Sequence, residues 1–276
     1  MQARIAPRPV AELQAELRRL GVPSTGAAPA VEVRQESSGQ GHRVRQLGFE
    51  SEPGVQIAAK LYLPERPGRR PAAVVVEEKS LPVPLYVRRS QTTAALAEAM
   101  ARAGSVVLEL EPRDSPAALD GRPFLGNWLT NARADLVGRN LAAMRAHDIV
   151  CGVDVLAARP EVDPAAIRGY ARGVKGFWLL LAAAMDRRLT RLWLDRTPWS
   201  LRAAFEAPMT NNLFDAIIPG FALHWDFQDL LKAMGERPVL WTDPTNWMNQ
   251  VVDAGPGFRY RYVGEPDGAY VEEFLR

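Results

Sequence analysis

The chain has 276 residues, of which 34 are Lys or Arg and 32 are Asp or Glu, and 47% are hydrophobic; this is typical of a soluble globular protein with one large domain or two small ones. The net charge of +2 argues against a dedicated nucleic-acid binder, which usually carries a concentrated basic surface. A single cysteine excludes a disulfide framework and a cysteine-based zinc site, and three histidines leave few candidates for a catalytic base.

The first 30 residues predict a helical arm followed by a linker. Four apolar residues recur at helical spacing: Val10, Leu13, Leu17 and Leu20. Residues 21–30 are rich in Gly, Pro, Ser and Thr, which is typical of a linker. The N-terminus has no apolar core of signal-peptide type, although the sequence is compatible with a longer parent chain that is secreted or periplasmic. The longest apolar run, residues 177–184, is far shorter than the ~20 residues of a membrane-spanning helix, so we expect no membrane contact.

Strands alternate with helices along the rest of the chain. The patterns predict strands at residues 44–49, 55–63, 72–76, 106–110, 167–171, 192–194, 239–241 and 258–263. They predict helices at residues 91–103, 129–158, 173–186, 227–234 and 271–275. Such alternation implies crossover connections and a parallel sheet with helices on both faces. We therefore interpret residues 31–276 as one α/β domain that follows the arm.

Several short motifs then occur in a specific order. The sequence ARPEVDP at residues 158–164 is followed by Ile167, a turn, and AAAMDRRL at residues 182–189. Weaker matches occur at residues 111–114, 218–220, 226–231 and 237–240. Together these motifs resemble α/β-hydrolases of the acetyl xylan esterase and dienelactone-hydrolase type, over most of residues 44–276. The resemblance implies the α/β-hydrolase fold, with a mostly parallel sheet, and a lineage of carboxyl-ester hydrolases.

The resemblance also locates the positions of a Ser-acid-His triad, and none holds the expected residue. Residues 171–176, ARGVKG, match the nucleophile elbow G-x-S-x-G-G and put Gly173 in the serine position. The acid position falls on Asn246, with Asp243 as a substitute, and Asp267 occupies the histidine position. Because glycine has no side chain to attack a carbonyl, we expect hydrolysis to be impaired. Gly173 and Gly176 would then simply form a tight strand-to-helix turn.

An active esterase with a displaced nucleophile is the alternative, and Ser200 is its candidate. Ser200 follows a predicted strand and precedes a short helical segment at residues 201–205. A serine in that place is more often an N-cap than a nucleophile. His224 lies in a nearby predicted loop, and a single histidine there is more often structural.

Ligand binding without catalysis is a further hypothesis. Charged residues follow the predicted strands at the edge where open α/β sheets bind ligands. We expect this cleft to contain seven residues: Glu78, Lys79, Arg113, Arg172, Val174, Lys175 and His224. It would suit a small ester, a saccharide or an anion such as a uronate, or its charges would merely pair with one another. The chain would then be a carbohydrate- or anion-binding module, with a partner domain in a longer parent chain; we expect no cofactor, metal ion or nucleic acid.

Overall fold

An eight-stranded sheet forms the centre of the described residues of this computed structural model, which are 8–23, 26–76, 93–113, 127–253 and 268–276. The strands are β1 (Val31–Ser38), β2 (His42–Glu52), β3 (Val55–Pro64), β4 (Arg70–Val76), β5 (Val106–Glu111), β6 (Val162–Arg172), β7 (Leu189–Asp195) and β8 (Val239–Thr242). Their spatial order is β1-β2-β3-β5-β4-β6-β7-β8. The pairs β1–β2, β2–β3 and β3–β5 are antiparallel. The pairs β5–β4, β4–β6, β6–β7 and β7–β8 are parallel. The expected mostly parallel α/β sheet is thus confirmed.

Helices cover both faces of this sheet. They are α1 (Val10–Arg19), α2 (Thr93–Arg102), α3 (Trp128–Leu136), α4 (Leu141–Ala157), α5 (Lys175–Met185), α6 (Phe221–His224), α7 (Phe227–Met234) and α8 (Gly268–Leu275). Along β4, Val74 and Val76 pack with α4 and α5, while Ala73 and Val75 pack with α2 and α8. This alternation gives β4 two buried faces and explains its continuous apolar sequence. None of the helices in the described ranges is long and apolar enough to cross a bilayer.

The helix predicted at residues 129–158 is two helices in the structure. Gly138, with φ of +73°, ends the first segment in the left-handed region that favours glycine. Asn140 then begins α4, where its side-chain oxygen accepts hydrogen bonds from the N–H groups of Ala142 and Ala143. The prediction of one helix was wrong because the apolar periodicity continues across a break that Gly138 and Asn140 specify locally.

The sequence patterns did not predict β1, because almost all of its side chains are exposed and show no alternation of buried and exposed residues. All residues of β1 after Val31 are exposed, and the strand lies at the edge of the sheet, paired only with β2. His42 begins β2 and is buried. The strand predicted at residues 258–263 and the first two residues of the helix at 91–103 lie outside the described residues.

The N-terminal helix packs against the rest of the molecule. Leu13 and Leu17 are fully buried in the core that α5 and α7 share. The Gln14 side-chain amide donates a hydrogen bond to the Ala184 carbonyl at 3.0 Å. The Arg8 guanidinium lies 5.9 Å from the centre of the Trp225 ring. The apolar side chains that predicted the helix are therefore the ones that hold it in place.

Candidate functional site

A sharp turn joins β6 to α5, and Gly173 lies at its apex. Its φ of +62° is in the left-handed region, where most L-residues are strained. The Gly173 N–H donates to the Asp195 carbonyl at 2.9 Å, and its own carbonyl accepts from the Gly176 N–H at 3.1 Å. A strand, a left-handed residue and a helix in succession are the geometry of a nucleophile elbow. The structure therefore has the backbone geometry of an elbow, with Gly173 at its apex.

Space is available at Gly173 but not at the second glycine of the turn. A Cβ atom built on Gly173 would have no other atom within 4 Å. One built on Gly176 would fall within 3.0 Å of the Cβ, Oγ1 and Cγ2 atoms of Thr197. Packing thus requires glycine at residue 176, whereas only the backbone angle favours it at residue 173.

The start of α5 adds backbone donors and a cation. Val174 is half-buried, and among the described residues its N–H has no acceptor. In an elbow, the N–H of the residue after the nucleophile helps to hold a developing oxyanion. Lys175, the first residue of the helix, is 5% exposed. Gly173, Val174 and Lys175 therefore combine open space, an available N–H and a buried cation in one turn.

Arg172, the last residue of β6, pairs with a buried carboxylate on the neighbouring strand. Its Nε lies 3.5 Å from Asp195 Oδ2. The same carboxylate accepts hydrogen bonds from the Tyr170 hydroxyl at 3.0 Å and the Thr242 hydroxyl at 3.1 Å. Burial raises the pKa of Asp195, against the opposing charge of Arg172. These contacts hold the Arg172 guanidinium against the end of β7.

Asp243 and Asn246, the two candidates for the acid position, lie in different surroundings. Asp243 follows β8 directly, is buried, and has a φ of +45°. Asn246 closes a turn, where its Oδ1 accepts from the N–H groups of Met248 and Gln250. Asp243 therefore occupies a strand end of the candidate site, whereas Asn246 shapes the loop that follows.

Ser200 makes the contacts of a capping residue. Its hydroxyl donates to Asp226 Oδ2 at 2.6 Å and accepts from the Ala203 N–H at 3.2 Å, and the residue is 4% exposed. Asp226 in turn begins α7 in a capping box. The hydrogen bonds of this serine do not include His224, whose Nε2 lies 3.5 Å from an Arg8 nitrogen. Among the described residues, no histidine is placed to take a proton from Ser200.

Arg113 contacts a helix and the β2–β3 hairpin, and none of its described contacts joins it to Arg172. Its Nη2 lies 2.6 Å from Asp148 Oδ1 and 3.0 Å from Glu52 Oε1. The same nitrogen donates to the Ser51 hydroxyl at 3.1 Å. The side chain of Arg113 is 8% exposed, so it joins α4 to the hairpin.

Three of the expected site residues, Glu78, Lys79 and Asp267, lie outside the described residues. Within the described ranges, no cluster of three or more His, Cys, Asp or Glu side chains could hold a metal ion. The expected cleft is thus described for its β6, β7 and β8 strand ends and for the start of α5.

Asp195 and Thr242 belong to this site and were missed by sequence reasoning. Asp195 directly follows the apolar run at residues 192–194, which predicted a strand. The rule that ligand sites form at the carboxyl ends of parallel strands would have selected it. What the sequence did not reveal is that β7 lies next to β6, so that Asp195 reaches Arg172.

Comparisons with known proteins agree with this architecture. No protein-family profile matches the chain, and no curated protein is similar to it in sequence. Acetyl xylan esterase 1 from Thermoanaerobacterium sp. JW/SL YS485 is similar in structure, with a TM-score of 0.61 and 18% identity over 99% of this chain and 94% of that one. The acetyl xylan esterase from Paenibacillus sp. R4 gives 0.61 and 14%, over 99% and 97%.

A glucuronoyl esterase of family CE15 from Teredinibacter turnerae T7901 is also similar. Its TM-score is 0.62 at 16% identity, and the match covers 97% of this chain and 84% of that one. At sequence identities of 14–18%, the similarity to these proteins is a similarity of fold. The chain therefore has the α/β-hydrolase fold, in the form found in acetyl xylan esterases and glucuronoyl esterases.

Proposed function

We propose that this protein is a non-hydrolytic relative of carbohydrate esterases that binds a small polar or anionic ligand above Gly173. The observation that carries the proposal is the elbow itself. The strand-to-helix turn and its left-handed residue are retained, while the residue at its apex has no side chain.

The loss of hydrolysis follows from the chemistry of the triad. The serine position holds Gly173, which cannot form an acyl-enzyme. No histidine follows His224 in the sequence, although the resemblance implies one before the final helix. Removing a triad serine or histidine typically lowers turnover by ~10⁶, and only binding and the oxyanion hole contribute afterwards.

Ligand binding is supported by the groups that remain. The space at Gly173 is open, the Val174 N–H is available, and Asp195 orients the Arg172 guanidinium. Backbone donors at a helix start and a guanidinium both favour a carbonyl or carboxylate oxygen. The names of the similar structures, acetyl xylan esterase and glucuronoyl esterase, support acetylated or uronate-bearing saccharides as the ligand class.

A thermal-shift screen tests binding. The ligands are a neutral xylo-oligosaccharide, its acetylated form and its uronate-bearing form. We expect a concentration-dependent rise in Tm with the acetylated or uronate-bearing form, and a smaller one in Arg172→Gln. Arg43→Gln, which removes an exposed arginine from β2, is the matched control and should respond like the wild type. A flat response to all three ligands would contradict the proposal.

Labelling with a fluorophosphonate probe tests the alternative of an active esterase with a displaced nucleophile. The capping contacts of Ser200 lead us to expect no adduct. An adduct at Ser200 that disappears in Ser200→Ala would identify a serine hydrolase and overturn the non-hydrolytic proposal.

A further inference from the structure

Two arginines stand side by side on the face of the sheet that α2 and α8 cover. Arg168 on β6 and Arg191 on β7 are partners in the parallel register. Arg168 Nη2 donates to the Leu275 carbonyl at 2.6 Å, and Arg191 Nη1 donates to the Glu273 carbonyl at 2.9 Å. The pair therefore caps the carboxyl end of α8, where free carbonyl groups favour cations.

Within the described ranges, the two carbonyl groups leave charge and hydrogen-bonding capacity of the pair unused. Arg168 is 8% exposed, and its buried Nη1 has no hydrogen-bond partner in the described part of the chain. No carboxylate of the described residues lies within 4.0 Å of either guanidinium. Burial, and then the like charge of Arg191, lower the pKa of Arg168. A buried donor without an acceptor and two adjacent cations without an anion are each unfavourable.

We propose that Arg168 and Arg191 bind a small oxoanion, of the phosphate, sulfate or carboxylate class, at the carboxyl end of α8. Guanidinium groups match the oxygen spacing of such anions and bind them through paired hydrogen bonds. Arg191 is half-buried, which leaves the pair open to solvent on its side. A bound oxoanion would accept a hydrogen bond from the unused Arg168 nitrogen and neutralise the adjacent charges.

This site is separate from the cleft above Gly173. Arg168 precedes Gly173 by five residues on an extended strand, which corresponds to about 16 Å. Arg172, the cation of that cleft, lies four residues further along β6 than Arg168, which corresponds to about 13 Å. Binding at the two places can therefore be measured independently.

Calorimetric titration with inorganic phosphate tests the proposal, at constant ionic strength maintained with chloride. We expect one saturable site in the wild type and a rise in Tm with phosphate. Arg191→Gln should weaken binding at least tenfold, whereas Arg43→Gln should bind like the wild type. If Arg191→Gln does not fold, Arg191→Lys serves instead, because it keeps the charge but loses the paired donors; we expect weaker binding there too.

Three results would overturn the proposal. The first is the absence of saturable phosphate binding to the wild-type protein. The second is wild-type affinity in both Arg191 variants. The third is loss of binding in Arg172→Gln, which would assign the anion to the elbow instead.

Discussion

Gly173 and Gly176 lie three residues apart in one turn, yet their surroundings constrain them differently. Gly173 has open space and a left-handed φ, whereas Gly176 has an ordinary φ and Thr197 against its Cα. The resemblance in sequence matches the first of these positions to the serine of a G-x-S-x-G-G elbow and the second to its last glycine. The turn of this protein thus has open space and a left-handed backbone at residue 173, and close packing at residue 176.

Gly173→Ser should fold but should not restore esterase turnover. The new Cβ atom would have no other atom within 4 Å, and the left-handed φ costs about 1–2 kcal/mol of stability. Turnover should stay at background because the sequence has no histidine after His224. Urea unfolding and p-nitrophenyl acetate hydrolysis measure the two effects. Turnover restored by this single change would show that a general base is present.

Gly176→Ala should destabilise the protein by about 1–3 kcal/mol, the usual cost of overpacking. Its Cβ would overlap the Thr197 side chain, which is fully buried. The double variant Gly176→Ala/Thr197→Ala should recover part of the loss, because two of the three overlapping atoms are removed. Equal unfolding free energies for Gly176→Ala and the wild type would contradict the packing described for the turn.

At the scale of elements, a buried ion pair holds the segment at residues 213–215 onto α4 and α5. Arg145 Nη1 lies 2.6 Å from Asp215 Oδ1, and both side chains are fully buried. The guanidinium also lies 4.2 Å from the Trp178 ring centre, and the Trp178 indole N–H donates to the Asp215 carbonyl at 2.6 Å. Three elements thus meet at one charge pair.

Arg145→Met should cost about 3–5 kcal/mol, because it leaves the Asp215 carboxylate buried and unpaired. The double variant Arg145→Met/Asp215→Leu should recover much of that loss, since it removes both charges. Arg43→Gln, at an exposed ion pair with Glu36, is the control and should change stability by about 1 kcal/mol or less. Additive losses in the double variant would show that the two residues do not act as a pair.

The sequence predicted those elements whose side chains have a clear burial pattern. The apolar runs at residues 72–76 and 106–110 identified central strands, because strands buried on both faces have no polar alternation. The exposed edge strand β1 has no such pattern and was missed. The Arg145–Asp215 pair was also missed, since its members are 70 residues apart and nothing local links them.

The candidate site was only partly predictable for the same reason. Gly173 and its neighbours follow from a local motif, and the structure places them in one turn. The carboxylate that orients Arg172 comes from another strand, so its identification required the strand order. Arg113 was expected in the cleft, and in the structure its guanidinium donates to Asp148. These two residues are 35 positions apart in the sequence, so no local pattern predicts their contact.

At the scale of the whole molecule, His147 links stability to pH. It lies on α4, 3.3 Å from Glu52 on the β2–β3 hairpin. Burial is the largest influence and lowers the pKa of His147, although Glu52 and Asp148 oppose it. The unfolded chain therefore binds a proton here at a higher pH than the folded chain does.

The free energy of unfolding should accordingly fall as pH drops below about 6.5, the ordinary histidine pKa, until the lowered folded pKa is reached. In His147→Gln this part of the pH dependence should disappear. Urea unfolding of both proteins between pH 5 and pH 8 measures the difference. A difference between the two proteins that does not change with pH would contradict the assigned shift.

The hydrolysis of p-nitrophenyl acetate by the purified protein tests the central claim most directly, namely that an elbow with Gly173 in the serine position does not hydrolyse esters. We predict a rate equal to that of the buffer and unaffected by Arg172→Gln, Ser200→Ala or the control Arg43→Gln. A saturable rate that either of the first two variants abolishes, and the control retains, would contradict it.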